Sequence, residues 1–271
     1  MKILITGGSG FLGTAVCKRL AYDHEIYVLT RNKRRASSKL NTKVTLLTSQ
    51  DPFPKVDAIL NFAGAAISAR ILTQKRMNVL LNSRIRIMDL LQEKYRRTLF
   101  PPLFIQASAT GIYSNDQTCD ESGACNGAFA SLIKALEDAA KKRFEGITCL
   151  ALIRFGVIMG EGGGLNRILK RLPKLQIIPD QGNFVPWIAL EDAAAIITFL
   201  LEHPLRGVVN AVSPDLKTAN TLLAAGKGSG PFLPIPRFLL NIPFDRRGKL
   251  LTASHIILSS RLINAGFKFK K

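Results

Sequence analysis

Three glycines at every third position follow a short apolar run at the start of the chain. Residues 3–5 are Ile-Leu-Ile, and Gly7, Gly10 and Gly13 come soon after them. This pattern predicts a buried strand that turns tightly into a helix, whose first backbone N–H groups point outward where a diphosphate can bind. Gly7 would allow the turn, Gly10 the approach of the phosphates, and Gly13 the close packing of helix on strand. The amphipathic continuation over residues 14–20 favours this interpretation over an ordinary turn.

The composition is that of a folded protein with a large core. The chain has 271 residues, of which 47% are hydrophobic, enough for one large domain or for a large and a small one. No apolar run approaches the roughly 18 residues that cross a bilayer, so we expect a cytoplasmic protein without a membrane partner. The cysteines and histidines fit no metal-ligand spacing, which predicts free thiols and no metal site.

The chain is strongly basic, with 38 Lys and Arg against 19 Asp and Glu and a formal charge of +19. A scattered basic surface, a local site for an anionic ligand and a nucleic-acid interface would each produce such a surplus. Basic residues occur along the whole chain, and no cluster of them alternates with aromatic residues. A scattered surface is therefore the preferred interpretation, an anionic ligand is the next, and nucleic acid is the least favoured partner.

Apolar strands alternate with helices along the first part of the chain. Strands are predicted from residue 2 and at residues 25–30, 43–47, 58–63, 103–107 and 148–155, and helices at residues 14–20, 73–96 and 129–144. This alternation predicts an α/β fold, a Rossmann-like doubly wound parallel sheet with helices on both faces. Residues 1–160 would form this domain, together with a returning helix and strand near residues 188–213. Residues 161–271 would form a smaller C-terminal substrate lobe over the strand ends.

The end of the second predicted strand is basic rather than acidic. In dinucleotide sites a carboxylate at this place binds the ribose 2′-hydroxyl, but here residues 30–35 are Thr-Arg-Asn-Lys-Arg-Arg. A guanidinium suits a 2′-phosphate, which it can bind through two hydrogen bonds. We therefore expect NADP(H) to be preferred over NAD(H), with Arg31 as the main contact. A solvated basic loop is the alternative.

Several segments together resemble the extended short-chain dehydrogenase/reductase superfamily, and within it the epimerase family proteins related to nucleotide-sugar epimerases. They are residues 6–13, 61–64, 83–85, 107–113, 154–160, 162–164, 186–188, 209–214 and 262–269. The resemblance covers nearly the whole chain. It implies a Rossmann domain that binds NAD(P), a small substrate lobe, and oxidoreductase or epimerase chemistry. By analogy with relatives that pair through their long helices, it also implies a homodimer.

The resemblance also exposes missing groups. Superfamily chemistry uses a Tyr-x-x-x-Lys pair on the helix after the fifth strand, whose phenol moves a proton while hydride transfers. Lys134 stands at the lysine position, but Ala130 stands at the tyrosine position. Compared with the family pattern, a glutamate, a histidine and a tryptophan are also replaced, by Ala65, Ala189 and Leu72. These changes imply either a different substrate or a site that binds without turnover.

The residue patterns and the resemblance together assign three roles. The candidate catalytic residues are Ser108, Thr110, Tyr113 and Lys134, and the candidate substrate contacts are Arg84 and Trp187. The expected coenzyme contacts are Gly7, Gly10, Phe11, Leu12, Gly13, Arg31, Asn61, Ala63, Gly64 and Lys134. Structural alternatives stay open: hydroxyls at strand ends also bond local backbone, aromatic side chains also pack in a core, and basic side chains also suit a solvated helix face.

Two functional hypotheses follow, from different classes. The first is an NADP(H)-binding enzyme, an oxidoreductase or epimerase-like protein, that acts on an unknown small substrate near Ser108, Thr110 and Tyr113. The second is a catalytically degenerate protein that senses NADP(H) or acts as a regulatory binding protein. A nucleic-acid-associated protein that uses the fold as a scaffold is a third interpretation.

Overall fold

The computed structural model describes residues 1–66, 72–96, 100–114, 117–169, 174–180, 182–225, 232–239 and 254–270. The strands in these residues are β1 (Lys2–Thr6), β2 (Glu25–Leu29), β3 (Thr45–Leu47), β4 (Ala58–Asn61), β5 (Leu103–Ala109), β6 (Gln117–Cys119), β7 (Cys149–Phe155), β8 (Val157–Met159), β9 (Leu175–Ile178), β10 (Trp187–Ala189), β11 (Gly207–Ala211), β12 (Leu233–Pro236) and β13 (His255–Ile257). The helices are α1 (Phe11–Leu20), α2 (Lys33–Ser37), α3 (Gln74–Tyr95), α4 (Ala130–Phe144), α5 (Gly164–Leu169), α6 (Leu190–Glu202), α7 (Ala219–Ala224) and α8 (Ser260–Asn264). None of these helices is both long enough and apolar enough to cross a bilayer.

Seven strands form one parallel sheet in the order β11-β7-β5-β4-β1-β2-β3. The prediction of a doubly wound α/β fold is confirmed. The chain runs outward from β1 in one direction through β2 and β3, and in the other through β4, β5 and β7 to β11. The order therefore reverses between β1 and β4, and sheets of this kind bind ligands at the carboxyl ends of the strands at such a point.

Helices cover both faces of this sheet. Ile3 and Ile5 of β1 pack in a fully buried cluster with α1 and α6, whereas Leu4 faces the opposite cluster, with α3 and α4. The ring of Phe104 on β5 stacks on that of Phe144 on α4, with centroids 4.2 Å apart. Because both faces are covered, the strands need apolar residues at successive positions, which explains the unbroken apolar runs in the sequence.

The remaining strands form smaller parallel pairs. They are β8 with β10, β9 with β12, and β6 with β13. Helices α5 and α7 pack with the first two pairs in a separate apolar cluster that includes Met159, Ile177, Trp187 and Leu222. Apart from Met159, the residues of this cluster lie within the predicted lobe of residues 161–271. Residues 170–173, 181, 226–231, 240–253 and 271 of that range lie outside the described part of the chain.

The turn between β1 and α1 leaves no room for side chains. Gly7 has a φ of +69°, in the left-handed region, and a Cβ there would lie 2.8 Å from the backbone nitrogen of Ala63. A Cβ on Gly13 would lie 2.2 Å from the backbone oxygen of Gly7. Helix α1 therefore packs directly against the turn, and this contact fixes the direction of its first N–H groups.

Replacing Gly13 with alanine tests this contact. In an unobstructed helix, alanine is more stable than glycine by about 1 kcal/mol. Because the new Cβ would meet backbone atoms, we expect Gly13→Ala to lower the free energy of unfolding by about 2 kcal/mol instead. Urea denaturation followed by circular dichroism measures the change. Ser131→Ala, at an exposed position on α4, is the control, and a stabilised Gly13→Ala protein would contradict the close contact.

Candidate functional site

A buried hydrogen-bond chain joins the carboxyl ends of β1 and β4 to the middle of β5. Thr6 Oγ1 donates to Asn61 Oδ1, and Asn61 Nδ2 donates to Gln106 Oε1 at 2.7 Å. The backbone nitrogen of Ala63 donates to Thr6 Oγ1 at 3.1 Å. The side chain of Asn61, a predicted coenzyme contact, is therefore buried and braces three strands. The backbone that follows it, at Ala63 and Gly64, borders the crevice at the switch point.

Helix α1 presents an uncapped N-terminus to the same crevice. Its N-cap, Gly10, makes no side-chain hydrogen bond, and its first turn contains no acidic residue. The first N–H groups of a helix have no partner within the helix, and here Leu12 and Gly13 are buried beneath them. The glycines leave a cradle that a Cβ would fill, so these residues fit the diphosphate of a dinucleotide.

The side chain of Phe11 packs under the glycine-rich segment that follows β8. A Cβ on Gly163 would lie 2.3 Å from Phe11 Cδ2, and one on Gly164 would lie 2.9 Å from Phe11 Cε1. Glycine thus lets the segment lie flat on the aromatic ring. Phe11 is a predicted coenzyme contact, and with its ring used in this packing its binding group would be the backbone N–H.

The second strand ends in a basic loop beside β1. Arg31 is exposed and forms no ion pair with the described residues. Asn32 caps α2, its side-chain oxygen accepting a backbone N–H of that helix, and Lys33 pairs with Asp51 at 2.9 Å. Hydrogen bonds from the Thr48 backbone and from Lys33 lower the pKa of Asp51 to about 2, so this carboxylate is ionised and already bound. The loop leaves the Arg31 guanidinium available for an anion.

A buried ion pair lies behind the end of β5. Arg154 donates to the two carboxylate oxygens of Glu137, through Nε at 2.8 Å and Nη2 at 2.7 Å, and the residues are 5% and 2% exposed. Burial opposes the charge of Arg154, but the hydrogen bonds and charge of Glu137 outweigh it and raise the pKa of Arg154. Ser108 Oγ donates to Glu137 Oε1 at 2.6 Å. The proton of the predicted catalytic hydroxyl of Ser108 is therefore already engaged in a hydrogen bond to this carboxylate.

Tyr113 and Thr110 point into the interior. Tyr113 is fully buried, its hydroxyl donates to Asn210 Oδ1 at 2.8 Å, and its ring centroid lies 4.9 Å from the guanidinium carbon of Arg154. Burial raises the pKa of Tyr113 to about 12. Thr110 Oγ1 donates to the backbone oxygen of Phe155 at 3.3 Å. These contacts favour a structural role for both hydroxyls over contact with a substrate.

Lys134 and Trp187 differ in exposure. Lys134 is exposed on α4 and has no ion pair within the described residues, while Ala130 one turn earlier carries no proton. Trp187 is buried, its Nε1 donates to the backbone oxygen of Asp215 at 2.6 Å, and the Lys217 ammonium lies 4.0 Å from its ring centroid. Lys134 is therefore available to a ligand, whereas the contacts of Trp187 favour its structural alternative.

Arg84 borders the crevice. A Cβ on Gly64 would lie 2.6 Å from Arg84 Cζ, so the guanidinium rests directly on the glycine. On the same loop Ala65, which replaces a family glutamate, donates its backbone N–H to Ser83 Oγ at 3.0 Å. The other two replacements, Leu72 and Ala189, are buried. Of the two predicted substrate contacts, Arg84 is therefore the one that the fold places against the loop after β4.

The ion pair of Glu137 and Arg154 is the part of the site that sequence reasoning missed. A signal for one partner was present, because Arg154 interrupts the otherwise apolar strand β7. A charge inside a buried strand requires a partner. Nothing in the sequence pattern singles out Glu137, which lies on a helix among other charged residues.

Comparisons with known proteins agree with this architecture. Residues 3–132 match the model of the NAD dependent epimerase/dehydratase family. Epimerase family protein YfhF of Bacillus subtilis is 31% identical over 99% of this chain and 94% of its own length. Epimerase family protein SDR39U1 of Mus musculus is 29% identical over 99% of this chain and 95% of its own length.

Solved structures extend the similarity to the whole fold. The crystal structure of human epimerase family protein SDR39U1 with NADPH has a TM-score of 0.79 and 25% identity, covering 100% of this chain and 95% of that chain. A UDP-N-acetylglucosamine 4-epimerase from Bacillus cereus has a TM-score of 0.71 and 19% identity, covering 100% of this chain and 94% of that chain. The second similarity concerns the fold alone.

Removing one member of the buried ion pair should be costly. Arg154→Met leaves Glu137 buried without its cation, and we expect the free energy of unfolding to fall by about 3–5 kcal/mol. The double variant Glu137→Met/Arg154→Met should recover most of this loss, as measured by urea denaturation. Arg143→Met, which breaks the more exposed pair with Asp89, should cost less than about 1 kcal/mol. Equal decreases in the free energy of unfolding of Arg154→Met and Arg143→Met would show that the buried pair contributes no more to stability than the exposed one.

Proposed function

The chain belongs to the epimerase family of the extended short-chain dehydrogenase/reductase superfamily, and on this premise we propose that it binds NADP(H) and acts as an oxidoreductase or epimerase-like enzyme. The coenzyme diphosphate would lie at the N-terminus of α1, against the backbone of Gly10, Phe11 and Leu12. Ala63 and Gly64 would border it on the other side of the switch point. The 2′-phosphate would bind Arg31.

One observation carries the coenzyme proposal: the open glycine cradle lies next to β2, and the loop after β2 holds Arg31, which has no ion-pair partner among the described residues. The cradle suits the diphosphate that NAD and NADP share, and Arg31 suits the phosphate that only NADP carries. No acidic residue stands in the segment 30–35 to bind a free 2′-hydroxyl. A relative of known structure, human SDR39U1, carries NADPH in its crystal, which supports the preference.

The residues around the crevice suggest how a substrate would be held. A bound nicotinamide coenzyme exchanges hydride with a substrate carbon. Lys134, exposed on α4, would hold ribose hydroxyls. Because the proton of Ser108 Oγ is bonded to Glu137, this hydroxyl offers only lone pairs to a ligand. It would accept a hydrogen bond from a substrate alcohol rather than donate one to a carbonyl.

A coenzyme sensor without turnover is the second candidate, and a specific observation favours it. Enzymes of this superfamily need a group that moves a proton beside the nicotinamide. Ala130 replaces the usual tyrosine, and Tyr113 is fully buried with its hydroxyl bonded to Asn210. Within the described residues the crevice therefore has no phenol to act as that group.

A turnover screen separates the two candidates. Purified protein is mixed with NADPH and a panel of small carbonyl compounds, or with NADP and the matching alcohols, and absorbance at the nicotinamide band is followed. Oxidation or reduction of the coenzyme in one of these mixtures supports the enzyme. Because an epimerase returns the hydride to its substrate and leaves the absorbance unchanged, mixtures with nucleotide sugars are also analysed for epimerised product. Tight NADPH binding with neither an absorbance change nor an epimerised product supports the sensor.

Arg31→Gln tests the coenzyme preference. Loss of a charged hydrogen bond to the 2′-phosphate should weaken NADPH binding about tenfold or more and leave NADH binding within about twofold. Fluorescence titration of both coenzymes measures the effect. Arg206→Gln removes the same charge just before β11, at the opposite edge of the sheet, and should change neither affinity. Tighter binding of NADH than NADPH by the wild-type protein would refute the preference.

A further inference from the structure

The segment around the crevice loop after β4 is basic without any acidic counterpart. Residues 58–88 contain no Asp or Glu, although they carry five cationic side chains: Arg70, Lys75, Arg76, Arg84 and Arg86. The first turn of α3, a 22-residue helix, likewise has no acidic residue. A helix N-terminus favours negative charge, so placing Lys75 and Arg76 there opposes the helix dipole. A favourable free energy of binding an anionic ligand would offset this unfavourable placement of charge.

Arg84 and Arg76 reach from α3 to the same loop. Arg84 Nη1 donates to the backbone oxygen of Leu80 at 2.9 Å, and the guanidinium rests on Gly64. Arg76 Nη2 donates to the backbone oxygen of Ala66 at 2.7 Å. Arg76 Nε is shielded from solvent and has no hydrogen-bond partner within the described residues. Both arginines therefore keep unused donors next to the loop that borders the coenzyme crevice.

The two guanidinium groups repel one another in a poorly solvated place. Arg84 Nη1 lies 3.5 Å from the backbone oxygen of Ala65, and Arg76 Nη2 bonds to that of the next residue, Ala66, so the two cations meet at one loop. Burial lowers the pKa of Arg84, and the charge of Arg76 lowers it further. Neither forms an ion pair with an acidic side chain among the described residues. Elsewhere the same chain balances the buried Arg154 with Glu137. A half-buried cation pair without a carboxylate is costly unless an external anion binds to it.

We propose that Arg76 and Arg84 together bind an oxyanion, a phosphate or a carboxylate, beside Gly64. This inference deepens the proposed function and rests on it, because the crevice assigned to the coenzyme is the one that the pair borders. Guanidinium groups hold such oxyanions through paired hydrogen bonds. The oxyanion has two sources, the diphosphate of the coenzyme or an acidic group of the substrate. In the second case the substrate of this protein is anionic.

Two titrations of the same variants distinguish these sources. The NADPH affinity of Arg76→Gln and Arg84→Gln is measured by fluorescence, and the affinity of the NADPH-saturated proteins for inorganic pyrophosphate is measured by calorimetry. Each substitution should weaken one of the two ligands about tenfold or more, because a charged hydrogen bond is lost. Arg86→Gln removes the same charge from an exposed position on the same helix and should leave both affinities within about twofold.

The outcomes separate this proposal from the proposed function. A loss confined to pyrophosphate supports a substrate-side oxyanion, and a loss of NADPH affinity supports the coenzyme diphosphate. If the wild-type protein binds NADPH and neither affinity falls in the variants, the arginine pair binds no oxyanion and this inference is overturned alone. If the wild-type protein binds no NADPH, the proposed function fails. Pyrophosphate titration of the unloaded wild-type and variant proteins then still decides the arginine pair.

A structural role of the arginines is tested by stability and by a conservative variant. Removing an uncompensated charge should leave the melting temperature of the free protein unchanged or raise it, whereas loss of a purely structural contact lowers it. Arg84→Lys keeps the charge but loses the planar fork, so it should bind the oxyanion more weakly than the wild type and more tightly than Arg84→Gln. If Arg84→Gln does not fold, Arg84→Lys and Arg76→Gln carry the test, and unchanged affinities in both overturn the inference.

Discussion

The contact between helix α1 and the turn before it is the constraint on which the crevice depends. The turn has space for hydrogen atoms only, since a Cβ on Gly13 would lie 2.2 Å from the backbone oxygen of Gly7. This contact sets where the helix begins and where its free N–H groups point. The same turn touches the backbone after β4, so the two loops that flank the switch point are held together. A shift of α1 would therefore change both walls of the proposed coenzyme site.

The buried and half-buried arginines on the two sides of this crevice have different partners. Behind β5, Arg154 is buried with a two-point bond to Glu137, so that its desolvation is offset within the protein. Beside β4, Arg76 and Arg84 are half-buried and have only backbone oxygens as partners in the described part of the chain. The first arrangement resists change, and the second remains open to an external anion. Arg154 and the pair of Arg76 and Arg84 therefore differ in their ability to bind an external anion, although the surplus of positive charge is spread along the whole sequence.

The polar groups near the strand ends limit what chemistry the site can perform. Three hydroxyls at the end of β5 or just after it are already bonded to protein acceptors: Ser108 to Glu137, Thr110 to the Phe155 backbone, and Tyr113 to Asn210. A group that shuttles protons must be able to change partners, and burial makes such a change costly. Lys134 is the one exposed member of the predicted catalytic set with a free charge. This distribution is why binding is better supported than turnover.

The sequence by itself determined the fold and the glycine-rich turn between β1 and α1. Apolar runs and helical periodicity placed α3 within a residue at each end and β2 within one residue at its end, since these patterns report local burial. The glycine spacing and the basic residue Arg31 likewise determine only the backbone and the charge at their own places in the sequence. Only the tertiary structure decided which side chains are already bonded within the protein and which can contact a ligand. The burial of Tyr113, the bond of Ser108 to Glu137 and the contact of Arg84 with Gly64 join residues 20 to 97 positions apart. No local pattern encodes such pairs, because they form only when separate helices and strands pack around the sheet.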